Sequence, residues 1–131
     1  MTHRERTYTV DEANALVPEV RAVLLQMAVQ QGRLQRVHED LHRRLEGNGD
    51  PSAREAADRL EVEMSEVTDG IRTLQLHLNG QGIVVRDLEL GLVDFPAERD
   101  GSRVWLCWRL ADPSVAFWHG TDEGYASRKP W

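Results

Sequence analysis

The chain has 131 residues, with 16 basic and 22 acidic side chains and a net charge of −6 when its histidines are neutral. This length suits one domain, and we predict that residues 1–131 fold around a single core. An acidic chain without a basic block is poorly suited to nucleic acid, because phosphate contacts supply most non-specific affinity there. The N-terminus has no apolar signal segment, no window resembles a membrane span, and one cysteine cannot form an intramolecular disulfide. We therefore expect a cytoplasmic protein that binds neither nucleic acid nor membranes.

A first helix is predicted for residues 9–46. The segment Thr9-Val-Asp-Glu12 fits a capping box, in which the Thr9 hydroxyl and the Glu12 carboxylate bond each other's backbone amides. Pro18 falls inside this helix, where it removes a backbone donor and crowds the carbonyl of Asn14. We therefore predict a kink or a break near Pro18.

Apolar residues follow a heptad pattern in two consecutive helices, the second predicted for residues 52–80. The breaker Gly47–Pro51 separates them, and Gly80 and Gly82 stand where a C-cap would lie. The predicted seam of the first helix is Ala13, Val17, Val20, Leu24, Met27, Gln31, Leu34, His38, Leu41 and Leu45. That of the second is Ala53, Ala57, Leu60, Met64, Val67, Ile71, Leu74 and Leu78. Two such helices predict a coiled-coil-like antiparallel hairpin.

The apolar face of this hairpin varies in width. Near the chain termini it is widened by Leu16, Val23, Leu25, Val29 and Leu76, and we expect the C-terminal segment to cover it. The loop end is narrow, so it either projects as an arm or pairs with a second subunit. Polar seam residues often set register or oligomeric state, and we favour that role for Gln31 and His38 over metal binding by His38. A homodimer formed through the helices is predicted.

Short strands are predicted for residues 83–120. The candidates Gly91–Phe95, Arg103–Leu110 and Val115–His119 form a three-stranded antiparallel meander, with Ile83–Val85 as an added edge. Pro96–Gly101 is predicted to be a turn, and residues 121–131 are predicted to form an irregular tail. Three strands need a partner surface, which the broad end of the hairpin supplies. The fold class is therefore α+β, a long helical hairpin packed at one end on a small sheet.

Three side chains in this sheet suggest a metal site. Asp94, Cys107 and His119 are oxygen, sulfur and nitrogen ligands suited to zinc or iron, and Asp122 or Glu123 could complete the set. Strand register decides whether they meet. If Leu110 pairs with Val115, Cys107 lies opposite Trp118 and His119 points to the other face. A one-residue slip instead places Cys107 opposite His119 on one face.

Ordinary packing roles compete with the metal site and are favoured over it. We interpret Cys107 as a small buried residue of the core. We interpret His119 as a hydrogen-bonded residue that lines the core. Asp94 is predicted to pair with Arg103 or Arg109 across the strands, although it could serve as a general base. A Cys107 nucleophile with His119 as its base is disfavoured, because a mid-strand thiol is buried.

The aromatic residues are concentrated from Phe95 onward, and two roles can be predicted for them. Trp105, Trp108 and Trp118 could line a pocket or stack on a flat cofactor. At alternating positions in short strands, such residues are more often core against the helices.

Several segments together resemble one bacterial family, domain of unknown function 2203. The segments are Tyr8–Pro18, Gly82-x-x-Val85-x-Asp87, Gly91–Pro96, Leu106–Arg109 and Trp118-His119. The resemblance covers nearly the whole chain and implies a small single-domain prokaryotic protein, without assigning a catalytic residue. Family members tend to have Trp-His-Glu where this chain has Trp118-His119-Gly120, so a glutamate ligand there would be missing.

Two functions follow from these patterns. The leading prediction is a non-catalytic protein that dimerises through its helices and binds a protein or small molecule near the sheet. The alternative is a zinc or iron protein, or a metal-dependent enzyme, that uses Asp94, Cys107 and His119.

Overall fold

The computed structural model describes residues 6–47 and 51–131. Two packed antiparallel helices, α1 (Val10–Leu45) and α2 (Pro51–Asn79), are followed by a five-stranded antiparallel sheet, which gives the predicted α+β class. The chain forms two compact units, one of residues up to Leu24 together with Gln75–Trp131 and one of Leu25–Leu74. Among the described residues, no helix is both long and apolar enough to cross a bilayer.

The predicted capping box begins α1. The Thr9 amide donates to Glu12 Oε1 over 2.9 Å, and the Glu12 amide donates to Thr9 Oγ1 over 3.1 Å. These bonds satisfy two of the backbone donors that a helix N-terminus leaves free. The start of the helix was therefore predictable from four residues.

Of the two alternatives predicted near Pro18, a kink or a break, the break does not occur. Helix α1 continues through Pro18 for 36 residues. A proline removes one backbone bond, to the carbonyl of Asn14, whereas Val17 and Val20 on either side of it are buried in the core. Packing on both sides of the proline therefore holds the helix together.

Helix α2 begins with Pro51, which the sequence reading had placed in the loop. Proline suits a first helical turn because the amide that it lacks would have no intrahelical partner there. At the other end, the Gly82 amide donates to the Asn79 carbonyl and the Ile83 amide to the Leu78 carbonyl. This pair of bonds is a Schellman motif, and the predicted C-cap at Gly82 is confirmed.

The sheet has five strands in chain order, not three. They are β1 (Val84–Asp87), β2 (Leu92–Arg99), β3 (Ser102–Arg109), β4 (Phe117–Gly120) and β5 (Lys129–Pro130). A short 3-10 helix, Tyr125–Ser127, precedes β5. The tail predicted to be irregular therefore returns to the sheet, where Lys129 pairs with Trp118. A two-residue strand is too short to leave a pattern in the sequence.

Strand β2 runs through Pro96, where a turn was predicted. Strand β1 pairs only with Leu92, Val93 and Asp94, so Pro96 lies beyond it and needs no ladder donor on that side. The Pro96 carbonyl instead accepts from the Tyr8 amide at 2.7 Å. The turn itself is narrower than predicted and centres on Asp100-Gly101, as in two-residue hairpins.

One sheet face packs against the start of α1. Phe95 of β2 meets Tyr8 edge-to-face with ring centroids 5.9 Å apart, and Arg21 of α1 lies over Trp108 of β3. The Asn14 side chain donates to the Val115 carbonyl and accepts from the Val115 amide, over 3.1 and 2.7 Å. These two hydrogen bonds connect the loop before β4 to α1. Trp108 is fully buried, as predicted for a core tryptophan, whereas Trp105 and Trp118 are half-buried.

Packing of the heptad seam is incomplete in the second unit. Gln31 and His38, predicted to lie in the seam, are exposed, and Val37 is buried instead. Several apolar seam residues are only half-buried: Leu34, Leu60, Met64, Ile71 and Leu74. A pair of helices encloses a seam from two sides only, so its outer edges stay in contact with water.

The expected covering of the broad end is also partial. Val23 is buried, but Leu25, Val29 and Leu76 remain exposed. The prediction that the C-terminal segment covers these three residues was wrong.

Candidate metal centre

The strand register brings the three predicted ligands together. Asp94 of β2 lies opposite Cys107 of β3, while His119 of β4 lies opposite Trp105 and Phe117 lies opposite Cys107. Neither register considered from the sequence occurs, because β4 is shifted by one residue in the direction opposite to the slip considered, which places Phe117 rather than His119 opposite Cys107. Side chains alternate along a strand, so Trp105 and Cys107 share a face, and His119 reaches Cys107 diagonally.

The three ligand atoms form a compact cluster. One atom each from Asp94, Cys107 and His119 lie within 4.8 Å of one another. Each residue is at most 2% exposed. This is the face of the sheet opposite the one that contacts α1, so its burial depends on the side chains that cover it.

The imidazole of His119 is held by two acceptors. Its Nδ1 lies 2.8 Å from the Gly120 carbonyl oxygen, and its Nε2 lies 3.0 and 3.1 Å from the two carboxylate oxygens of Asp94. A carbonyl oxygen can only accept, so Nδ1 carries a hydrogen. Nε2 then either shares a second proton with the carboxylate or directs its lone pair at a cation between them.

Asp94 is paired with an arginine that was not predicted from the sequence. Arg86 Nε donates to Asp94 Oδ2 over 2.9 Å, whereas Arg103 or Arg109 had been predicted as the partner. Val84 pairs with Asp94, and Arg86 is two residues further along the same strand, at an irregularity in the ladder. Its guanidinium also lies 5.0 Å from the centroid of Trp105. Only the pairing of β1 with β2 connects this arginine with Asp94.

The C-terminal segment covers the cluster next to Cys107. Arg128 forms two hydrogen bonds with Asp112, of 2.7 and 3.2 Å, and its guanidinium lies over the rings of Phe117 and Tyr125. Burial alone would raise the pKa of Asp112, but hydrogen bonds from Arg128 and from a backbone amide outweigh it and lower that pKa. The ion pair between Arg128 and Asp112 therefore covers the sheet surface next to Cys107.

Asp122 and Glu123, considered as further ligands, do not join the cluster. Both are exposed. Glu123 Oε1 instead accepts from the Gly120 amide at 2.9 Å and from Lys129 Nζ at 3.1 Å. Among the described residues, the ligand group therefore comprises Asp94, Cys107 and His119.

The arrangement disfavours Cys107 as a nucleophile. Burial, followed by the negative charge of Asp94, raises the pKa of the Cys107 thiol from 9.0 to about 12, so the thiol is protonated at neutral pH. Both ring nitrogens of His119 already face oxygen acceptors. His119 therefore has no free nitrogen with which to accept the thiol proton, and the thiol is better suited to be a ligand or a core side chain.

The pKa of Cys107 predicts an alkaline loss of stability in the metal-free protein. Because the folded state holds this proton more tightly than the unfolded state, its contribution is complete below pH 9.0 and lost as the pH approaches 12. The free energy of unfolding should fall by about 1.4 kcal/mol per pH unit above this lower limit. Urea titrations in chelator between pH 8 and pH 10.5 would measure this loss, and Cys107→Ala should reduce the slope. Equal slopes in the two proteins would contradict the prediction.

The fold and the cluster define a class of protein: a small α+β protein whose sheet carries a buried carboxylate–thiol–imidazole group. The chain belongs to the family of uncharacterised conserved proteins called DUF2203, whose family model matches residues 6–131. This match confirms the resemblance seen in the sequence. Neither the curated proteins nor the solved structures include a significant match to the chain.

Proposed function

We propose that this protein binds a divalent transition-metal ion, zinc or iron, through Asp94, Cys107 and His119. The observation that carries the proposal is the convergence of three different ligand types, from three neighbouring strands, within 4.8 Å in a buried position. Zinc–ligand bonds of about 2.0–2.3 Å leave ligand atoms roughly 3–4 Å apart, so closure around an ion needs only small side-chain movements.

Second-sphere contacts support this proposal. A metal-binding histidine commonly donates its other N–H to a carbonyl or carboxylate, which orients the ring. The contact from His119 Nδ1 to the Gly120 carbonyl has this form and directs Nε2 toward Asp94. The bond from Arg86 to Asp94 holds the carboxylate in turn.

Charge balance also favours a divalent cation. A Cys107 thiolate and an Asp94 carboxylate supply two negative charges in a buried position, and the bond from Arg86 to Asp94 offsets only part of that charge. In the absence of metal, the same side chains need protons on the thiol and between His119 and Asp94. A metal would therefore replace protons, and with all ligands buried its first effect would be to stabilise the sheet.

We predict close to one zinc or iron ion per chain in protein purified without a histidine tag, measured by elemental analysis. Chelator treatment should lower the melting temperature, because an ion that binds only the folded state stabilises it by mass action. Cys107→Ala and His119→Ala should each reduce occupancy at least tenfold. His77→Ala provides the matched control, since His77 is exposed and pairs with Glu19.

Cobalt(II) provides a test that does not depend on the metal present after purification. If Cys107 is a ligand, cobalt added to the metal-free protein should give thiolate-to-cobalt absorption in the near ultraviolet, and Cys107→Ser should remove that absorption. Circular dichroism would establish that each variant is folded. Folded wild-type protein that takes up neither zinc, iron nor cobalt would refute the proposal.

An interaction role, the leading prediction from the sequence, is a second candidate. Exposed apolar side chains in the second unit favour it, notably Leu25 and Val29. It involves different residues from the metal proposal, and both can hold.

A further inference from the structure

An apolar groove lies on the surface of the second unit. Leu25 and Val29, one turn apart on α1, are 50% and 65% exposed and border a groove of about 460 Å³. Gln26 and Gln30 of α1 and Gly70 and Leu74 of α2 complete its lining. Apolar side chains exposed side by side in this way are typical of interaction surfaces.

A second groove lies along the other side of the same two helices. It has a volume of about 330 Å³ and is lined by Gln31, Leu34, Gln35, His38, Met64 and Thr68. The exposed polar seam residues thus lie beside the half-buried apolar ones. This mixture is typical of a helical seam whose polar members select a partner.

Gly70 makes close approach by another helix feasible. A Cβ atom built at Gly70 would have no heavy atom within 4 Å. Glycine inside a helix is less favourable than alanine, and no contact with the described residues requires a glycine here. A partner helix seated in the groove would gain contact with the backbone there.

The charges of the two helices indicate what the partner is. Leu25–Leu45 of α1 carries four arginines and two acidic residues, a net charge of +2 with neutral histidines. Pro51–Leu74 of α2 carries three arginines and six acidic residues, a net charge of −3. Within one chain the two helices are already joined by an ion pair between Arg33 and Glu63, of 2.8 Å. The basic helix of one copy therefore complements the acidic helix of another.

We infer that the second unit is a homodimerisation surface, on which two copies pair about a twofold axis with α1 of each copy against α2 of the other. A twofold interface uses the same patch on both copies, so one surface with a basic and an acidic side is self-complementary. Four helices would then cover the groove beside Leu25 and Val29, including the half-buried Leu74, which two helices leave in contact with water. This inference does not depend on the metal proposal.

Light scattering and sedimentation of the full chain at micromolar concentration test this inference. We expect twice the chain mass of 14.9 kDa. The double variant Leu25→Glu/Val29→Glu should weaken dimerisation roughly tenfold or more, because it places charge in an apolar contact. Val62→Glu provides the control, since Val62 is a similarly exposed apolar residue of α2 outside both grooves.

Two further measurements separate dimerisation from folding. A Cβ atom at Gly70 has space among the described residues, so Gly70→Leu should leave helical circular dichroism intact while weakening the dimer. Higher salt should also weaken it, because charge pairing contributes. A wild-type monomer at 100 µM, or a dimer that Val62→Glu disrupts as strongly as the groove variants do, would overturn the inference.

Discussion

Replacing Asp94 with alanine is expected to lower the free energy of unfolding of the metal-free protein by about 3–5 kcal/mol. Asp94 is 1% exposed and holds both the His119 imidazole and the Arg86 guanidinium. Without the carboxylate, His119 would keep a buried polar atom that has lost its partner, and the ring would face a cavity. Urea denaturation in chelator would measure the effect. His119→Ala should be less than additive with Asp94→Ala, because both variants remove one interaction.

Glu98→Ala is the matched control for Asp94→Ala. Glu98 lies on the same strand and the same face as Asp94, but it is exposed. Removal of an exposed carboxylate should change stability by about 1 kcal/mol or less. If the two variants proved equally stable, Asp94 would not be the buried link between His119 and Arg86.

Gly91→Ala is expected to cost roughly 2–5 kcal/mol, from backbone strain and overpacking together. Gly91 has a φ of +63°, in the left-handed region, and a Cβ atom there would lie 2.7 Å from Leu110 Cβ. Its carbonyl accepts from the Leu110 amide, one pair before the β2–β3 ladder begins. A shift at this point would disturb the register that places Asp94 opposite Cys107. We therefore expect the Gly91→Ala variant to lose the metal affinity that we propose, as well as stability.

Gly101→Ala separates the two causes of this loss. Gly101 has a similar φ of +79°, but a Cβ atom there would have no neighbour within 4 Å. Only the backbone strain should remain, roughly 1–2 kcal/mol, with little effect on metal affinity. Thermal denaturation of the two variants side by side would show the difference. Equal losses would mean that the contact with Leu110 does not matter.

The helices could be predicted from the sequence because their signals are local. The capping box of Thr9 and Glu12 and the C-cap at Gly82 each involve a few adjacent residues, and both helix boundaries lie within a residue of those predicted. The helix does not break at Pro18, because burial of the neighbouring valines outweighs the local penalty of the proline. The two-residue strand β5 left no periodic signal at all.

The candidate site, too, could be predicted from the sequence only in part. Its three ligand types could be chosen from the sequence, because Asp94 stands between apolar neighbours and Cys107 is the single cysteine. Their meeting could not be predicted, because a shift of one residue between β3 and β4 moves His119 from one face to the other. Arg86 was missed for a related reason, since its pairing with Asp94 depends on how β1 joins β2.

The sequence by itself determined the α+β class and the two helices with their caps, because local hydrogen bonding and periodicity set these features. It also showed which side chains are of metal-ligand types, because that depends on residue identity alone. Only the tertiary structure decided that Asp94, Cys107 and His119 share one buried face, and that Leu25 and Val29 stay exposed. The physical reason is that register and burial depend on contacts between segments far apart in the chain. Helix caps and hydrophobic periodicity within one segment carry no information about those contacts.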